Sequence, residues 1–142
     1  GYWRGRGKRT AWGIGAFLSA VWDSQEGRLK TIARVGTGFS DAEWIEIRLL
    51  LDNDVRDGPS PLVESAVEAD VWVEPRHVVP VLADELTRSP NHTAGRSIDG
   101  PGYALRFPRV MGMPRPDKGP HDATTVDEVK SMFAAQGRGT AS

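Results

Sequence analysis

Hydrophobic and polar positions first organise themselves between Ala16 and Val35. Ala16-Phe17-Leu18-Ser19-Ala20-Val21-Trp22 forms a largely apolar run, and Asp23-Ser24-Gln25-Glu26-Gly27 follows as a polar break. Leu29, Thr31, Ala33 and Val35 then alternate with Lys30, Ile32 and Arg34. Two such runs around a glycine-containing turn predict a β-hairpin. Beyond Gly36-Thr37-Gly38-Phe39, Ser40 with Glu43 three residues later predicts a capping box. Trp44, Ile47 and Leu51 hold one apolar stripe, so a helix should run from there to about Leu51. Residues 52–69 read as a loop region around Gly58-Pro59-Ser60-Pro61. Strands are expected at Asp70–Val73 and His77–Leu86, with Pro80 at an edge or bulge because it cannot donate to a ladder. A polar loop from Arg88 to Gly100 leads to an expected strand from Tyr103 to Val110. The stretch Gly112–Pro120 is rich in proline and glycine. Thr125 and Glu128 form a second capping box, opening a helix of about two to three turns.

A chain of 142 residues has room for one domain. We expect that domain at residues 1–136, and a disordered tail at 137–142. Several short strands, an inserted helix and a terminal helix point to an all-β fold, a five-stranded OB-fold Greek-key barrel with a short C-terminal helix. With 39% hydrophobic and 26% charged residues the chain can build a core. It has no run of 18 apolar residues, so no membrane span is expected. Gly1 is expected to be a cut or processed end, since no initiator methionine or signal peptide precedes it. The absence of cysteine excludes disulfides, thiolate zinc sites and a cysteine nucleophile. His77, His92 and His121 are too dispersed for metal ligation, and no metal site is expected.

The net charge of −1 hides two basic islands. Arg4, Arg6, Lys8 and Arg9 lie in the first ten residues without an acid. Arg106, Arg109, Arg115 and Lys118 cluster later against the single Asp117. The rest of the chain must sum to −8. Phosphate binding follows the local field, so the islands suit nucleic acid as well as they suit two solvated loops.

Other motifs weaken on inspection. Gly5-Arg6-Gly7-Lys8-Arg9 fails the phosphate-loop pattern, because Arg9 stands where serine or threonine is required and Tyr2 where a glycine is. A flexible basic turn on DNA phosphates fits those residues better. Gly36-Thr37-Gly38-Phe39 is half a dinucleotide fingerprint without the βαβ unit it needs. Asn91-His92-Thr93 matches a glycosylation sequon by chance in a chain without a secretory signal. Trp3, Trp12, Trp22, Trp44 and Trp72 could stack on bases, but core or half-core positions suit most of them in a small barrel. In Leu105-Arg106-Phe107-Pro108-Arg109, strand alternation puts Arg106 and Pro108 on one face and Leu105, Phe107 and Arg109 on the other. A groove-facing surface accepts an arginine beside an apolar wedge, whereas a buried face does not. Arg115-Pro116-Asp117-Lys118 sets two cations around an acid on a proline-braced segment.

The succession Gly5-Arg6-Gly7-Lys8-Arg9, Gly36-Thr37-Gly38-Phe39-Ser40, Trp72-Val73-Glu74-Pro75, Leu105-Arg106-Phe107-Pro108-Arg109, Arg115-Pro116-Asp117-Lys118 and Asp122-Ala123-Thr124-Thr125 resembles the C-terminal OB domain of ATP-dependent DNA ligases. The archaeal, eukaryotic and related bacterial enzymes are the most similar. The resemblance implies an adenylation domain earlier in the protein, carrying a lysine nucleophile in Lys-x-Asp-Gly. None of Lys8, Lys30, Lys118 or Lys130 stands in that motif, so this chain alone should be inactive. It implies catalytic roles for Arg115 and Lys118, oriented by Asp117, in assisting pyrophosphate departure from ATP with Mg2+. It implies DNA contacts from Phe107 as a wedge at the nick and from Arg106 and Arg109 beside it; the basic turn separately suggests Arg4, Arg6, Lys8 and Arg9 on DNA phosphates.

The full enzyme would join a 3′-hydroxyl to a 5′-phosphate in nicked duplex DNA, serving replication, repair and recombination. Its implied partners are the adenylation domain and a sliding clamp, and its implied state is a monomer in the cytoplasm of a prokaryote or the nucleus of a eukaryote. Departures from the family pattern are a start inside the first barrel strand, Pro80 in place of a frequent glutamate, and Val110 in place of a frequent aromatic. Two other readings stand beside this one: a stand-alone OB module that binds DNA, and the OB domain of an RNA ligase or capping-type nucleotidyltransferase.

Overall fold

Two long strands form the centre of the molecule in a computed structural model that describes residues 1–141, with side chains to 137. A short strand β1 (Tyr2–Trp3) precedes β2 (Ala16–Asp23), and the chain returns as β3 (Arg28–Val35). Their antiparallel register runs from Phe17 opposite Val35 to Asp23 opposite Arg28, broken by one irregularity between Ser19 and Ala20. The turn closes at Gly27, whose φ of +64° suits a residue without Cβ. Phe17, Val21, Ile32, Ala33 and Val35 are buried from this hairpin.

Helix α1 (Asp41–Leu51) starts as its capping box requires. The Glu43 N–H donates to Ser40 Oγ at 3.2 Å, and the Ser40 N–H donates to Glu43 Oε1 at 2.9 Å. Such a cap is worth about 1 kcal/mol, because it satisfies donors the helix start would otherwise leave open. The helix buries Trp44, Ile47 and Leu51 against the barrel. Trp44 is packed between Trp12, Phe17 and Phe39 at centroid distances of 6.4, 6.1 and 5.1 Å. Truncating it to alanine would remove about 3–5 kcal/mol of stability.

Seven short strands complete the sheet: β4 (Val55–Arg56), β5 (Val63–Glu64), β6 (Trp72–Val73), β7 (Val81–Leu82), β8 (Glu85–Ser89), β9 (Gly102–Arg106) and β10 (Arg109–Val110). One four-stranded sheet has the order β1-β2-β3-β5, and the pairs β4·β6, β7·β10 and β8·β9 curl around it. Backbone bonds knit the pieces. The Ala94 N–H donates to Thr31 O at 3.0 Å and the Tyr103 N–H to Ala94 O at 2.7 Å, joining β3 to β9. Tyr2 and Val71 form a bridge that ties β1 to the chain before β6. The result is the expected OB architecture, in shorter strands than a continuous barrel would have. No helix among the described residues is long and apolar enough to cross a membrane.

Four expectations need correction. The loop region 52–69 carries β4 and β5. The expected His77–Leu86 strand reduces to β7 and the start of β8; Pro80 stands just before β7, where its carbonyl accepts the Met111 N–H at 2.8 Å. The expected Tyr103–Val110 strand breaks at Phe107-Pro108, where the backbone turns to positive φ. The terminal helix α2 spans Val126–Ala141, longer than two to three turns, because each residue added after nucleation gains a backbone bond. Ser142, the end of the expected tail, lies outside the described residues.

Candidate nucleic-acid interface

The break in the last strand builds the most distinctive feature of the surface. Phe107 has φ +52° and is the one non-glycine residue at positive φ among the described residues. That conformation costs about 1–2 kcal/mol for a residue with Cβ, and such outliers gather at functional sites. Distant Thr37 and neighbouring Arg109 hold it. Thr37 Oγ1 donates to Pro108 O at 3.2 Å, the Val110 N–H donates to Thr37 O at 3.0 Å, and Arg109 Nη1 donates to Phe107 O at 3.0 Å. Gly38 makes the approach possible, since a Cβ there would lie 2.1 Å from Val110 O. The Gly36-Thr37-Gly38 segment is therefore a seat for this tip.

Phe107 is 64% exposed, with the Arg106 guanidinium 5.2 Å from its ring centroid. Arg106 pairs with Glu85 at 2.7 Å and Arg109 with Asp84 at 2.9 Å. Strict alternation through Leu105–Arg109 does not hold, because β9 stops at Arg106 and β10 starts only at Arg109. Leu82 and Met111, both exposed, flank the tip.

The N-terminal basic turn reaches the same end of the barrel through Arg9. Residues Gly7–Trp12 form a 3-10 helix in place of the flexible turn expected. Arg9 Nη1 donates to Gly15 O and Gly36 O, both at 2.7 Å, and its guanidinium lies 5.0 Å from the Trp12 ring. Arg9 thus pins the turn beside the Gly36-Thr37-Gly38 seat. Arg4, Arg6 and Lys8 are exposed and make no ion pair among the described residues.

Arg115, Asp117 and Lys118 form a separate corner. The Arg115 N–H donates to Val78 O at 2.8 Å, and the Lys118 N–H to Arg115 O at 3.2 Å. Arg109 stands opposite Leu82, whereas Arg115 bonds to Val78, four residues earlier on the facing chain, which sets the corner apart from the tip. Arg115 Nη2 reaches Asp117 Oδ2 at 3.3 Å. The Asp117 backbone N–H, then the Arg115 and Lys118 charges, hold that carboxyl below its usual range. A groove of about 630 Å³ has Glu74, Arg76, His77, Arg115 and Lys118 along its lining.

The remaining candidates have packing roles. Burial pushes the His92 ring below its ordinary pKa, and its Nδ1 lies 3.2 Å from Thr31 Oγ1. His121 meets the Trp22 ring edge-on at 5.6 Å. Lys30 sits among Glu26 at 2.5 Å, Glu64 at 3.0 Å and Asp23 at 4.0 Å. Trp44 and Trp72 are buried. Among the described residues no three His, Asp or Glu side chains group as metal ligands. Thr37, Asp84 and Glu85 act on the tip from other elements and were not among the expected site residues; their partners lie far off in sequence and are set by strand register and the Thr37 seat.

The family model described as the ATP dependent DNA ligase C terminal region matches residues 10–118. The chain belongs to this family. It is 54% identical over 136 residues to a probable DNA ligase of Dictyoglomus turgidum, covering 96% of this chain and 23% of that protein. It is 43% identical over 134 residues to DNA ligase 1 of Methanosarcina barkeri, covering 93% of this chain and 24% of that protein. The chain thus spans about a quarter of the length of these ligases. A solved structure of mycobacterial DNA ligase D complexed with ATP and MES superposes with a TM-score of 0.58. That match has 25% identity and covers 88% of this chain and 35% of the other. The tip and the Arg115–Lys118 corner lie within the matched ligase region, whereas Arg4, Arg6, Lys8 and Arg9 precede it.

Proposed function

We propose that this ligase C-terminal domain serves two steps of ATP-dependent DNA joining through two different surfaces. In the first, the corner closes over an adenylation domain, where Arg115 and Lys118 meet the pyrophosphate leaving from ATP and Asp117 orients them. ATP supplies the adenylyl group there, and Mg2+ shares the neutralisation of its phosphates. Cations aimed at charge that develops only in the transition state lower the barrier without holding the ground state. Nothing in this chain offers the Lys-x-Asp-Gly nucleophile, so the domain assists and does not itself accept the adenylyl group.

In the second step the tip grips nicked duplex. Phe107 wedges beside the nick, Arg106 and Arg109 take the flanking phosphates, and Arg4, Arg6 and Lys8 extend the contact along a turn that Arg9 braces. The observation carrying this reading is Phe107 itself. An exposed ring on a strained backbone, held from Thr37 and Arg109, is costly to maintain and fits a presented wedge better than a core residue. An apolar wedge that opens a base step stabilises a distorted nick by the contact it gains.

Incubating the chain with ATP and magnesium tests the division of labour. No covalent AMP adduct is expected, and an adduct on Lys8, Lys30, Lys118 or Lys130 would overturn the placement of the nucleophile in another domain. A sliding-clamp contact and action as a monomer complete the proposal; clamp pull-down and analytical sedimentation of the whole ligase check them, and no retention or a dimer's sedimentation would remove each in turn.

A further inference from the structure

Each tract arginine proposed to meet DNA already holds a carboxylate, and the fold imposes the pairing. Glu85 stands directly opposite Arg106 in the antiparallel β8·β9 ladder. Their side chains meet at 2.7 Å. Asp84, the preceding residue, donates its backbone N–H to Arg106 O at 3.0 Å and pairs through its carboxylate with Arg109 at 2.9 Å. Two consecutive acids therefore cover two arginines that flank the exposed Phe107 ring. The basic turn differs: among the described residues the side chains of Arg4, Arg6 and Lys8 make no ion pair, and the nearby Asp70 carboxylate accepts from the Arg4 backbone N–H instead.

We propose that Asp84 and Glu85 are built-in competitors for the DNA phosphates and limit how strongly the Phe107 tip adheres to duplex. The inference rests on the reading that the tip faces DNA. An exposed ion pair is weak enough for a phosphate to exchange with it. The exchange has a consequence. An arginine that leaves a carboxylate for a phosphate releases a cation condensed on the DNA, while the freed carboxylate takes a cation up. Counterion release, the main source of non-specific adhesion, then nearly cancels at each pair. The arginines still fix orientation, but they add little salt-dependent grip. Sealed and nicked duplexes present similar phosphates, so this limit also weakens the hold on a joined product.

The test uses Asp84→Asn, Glu85→Gln and, as a charge-matched control elsewhere, Glu46→Gln. The Asp84 and Glu85 side chains are 55% and 38% exposed, so the near-isosteric amides leave packing in place. Binding of the chain to a short sealed DNA duplex is measured across a salt series. Each tip variant should bind about threefold tighter at low salt and steepen the slope of log affinity against log salt by about 0.9. Glu46→Gln should leave the slope unchanged. Tip variants that bind more weakly, or whose slope matches the parent, would overturn the inference and leave the acids as positioning groups for the arginines. Arg106→Gln and Arg109→Gln separate the two readings. If they weaken duplex binding while the amides change nothing, only the inference falls; if they change nothing either, the DNA-facing tip falls with it.

Discussion

The tip at Phe107 and the corner at Arg115–Lys118 carry similar residues on opposite structural terms. Each sets two cations near a proline with acids close by. At the corner the acid is local: Asp117 lies two residues from the arginine it meets. At the tip every restraint but Arg109 comes from afar, through Thr37, Asp84 and Glu85. The corner is a short exposed segment whose charges answer mainly to one another. The tip is a strained backbone that the barrel must hold in place. Proximity in sequence brings the corner's charges together, with a backbone bond to Val78 to anchor it, whereas presenting an aromatic ring at positive φ requires the folded scaffold. The same contrast suits the proposed division of labour, in which one surface assists adenylation and the other deforms a duplex.

The largest effect separating the two regions should come from the corner. In a whole ligase carrying this domain, Arg115→Ala or Lys118→Ala should slow lysine adenylation about 100-fold, in line with the loss of a single transition-state charge contact. Sealing of pre-adenylated nicked DNA should be spared. Equal loss at both steps in a folded variant would reduce the corner to a structural ion pair. Phe107→Ala should do the converse, weakening nicked-duplex binding by about 1–3 kcal/mol while adenylation survives.

Next in size, Arg9→Ala should lower stability by about 2 kcal/mol, read by chemical denaturation, because its guanidinium holds two backbone carbonyls. Lys8→Ala should leave stability unchanged and make the salt slope of duplex binding shallower by about 0.9. Similar stability losses in both would remove the distinction between brace and contact. The smallest effect belongs to Thr37→Val, which deletes one bond to the tip. It should weaken nicked-duplex binding by about 1 kcal/mol with no change in adenylation. An adenylation defect there would show that tip and corner are not independent.

How much of this was legible in the sequence follows the same division. The hairpin, the Ser40 cap and the Trp44-Ile47-Leu51 stripe were readable because each depends on residues within a few positions. The corner was readable for that reason too. The tip was visible as a composition and misread as geometry: alternation extended a strand through Phe107, where Pro108 and the Gly38 seat end it. Arg9 was legible as a cation, but its carbonyl partners Gly15 and Gly36 meet it only in the fold. The carboxylates at Asp84 and Glu85 looked like part of the acidic body, and only the β8·β9 register brings Glu85 opposite Arg106.

On the proposed reading, the barrel strains its backbone to present the Phe107 ring to DNA. Phe107→Gly tests it most directly, because glycine accepts positive φ without Cβ strain and removes only the ring. Melting temperature and nicked-duplex affinity are measured on the same preparation. An unchanged or raised melting temperature together with about tenfold weaker nick binding is expected. A sharply lowered melting temperature, with nick binding by the folded fraction left intact, would contradict it and make Phe107 a packing residue.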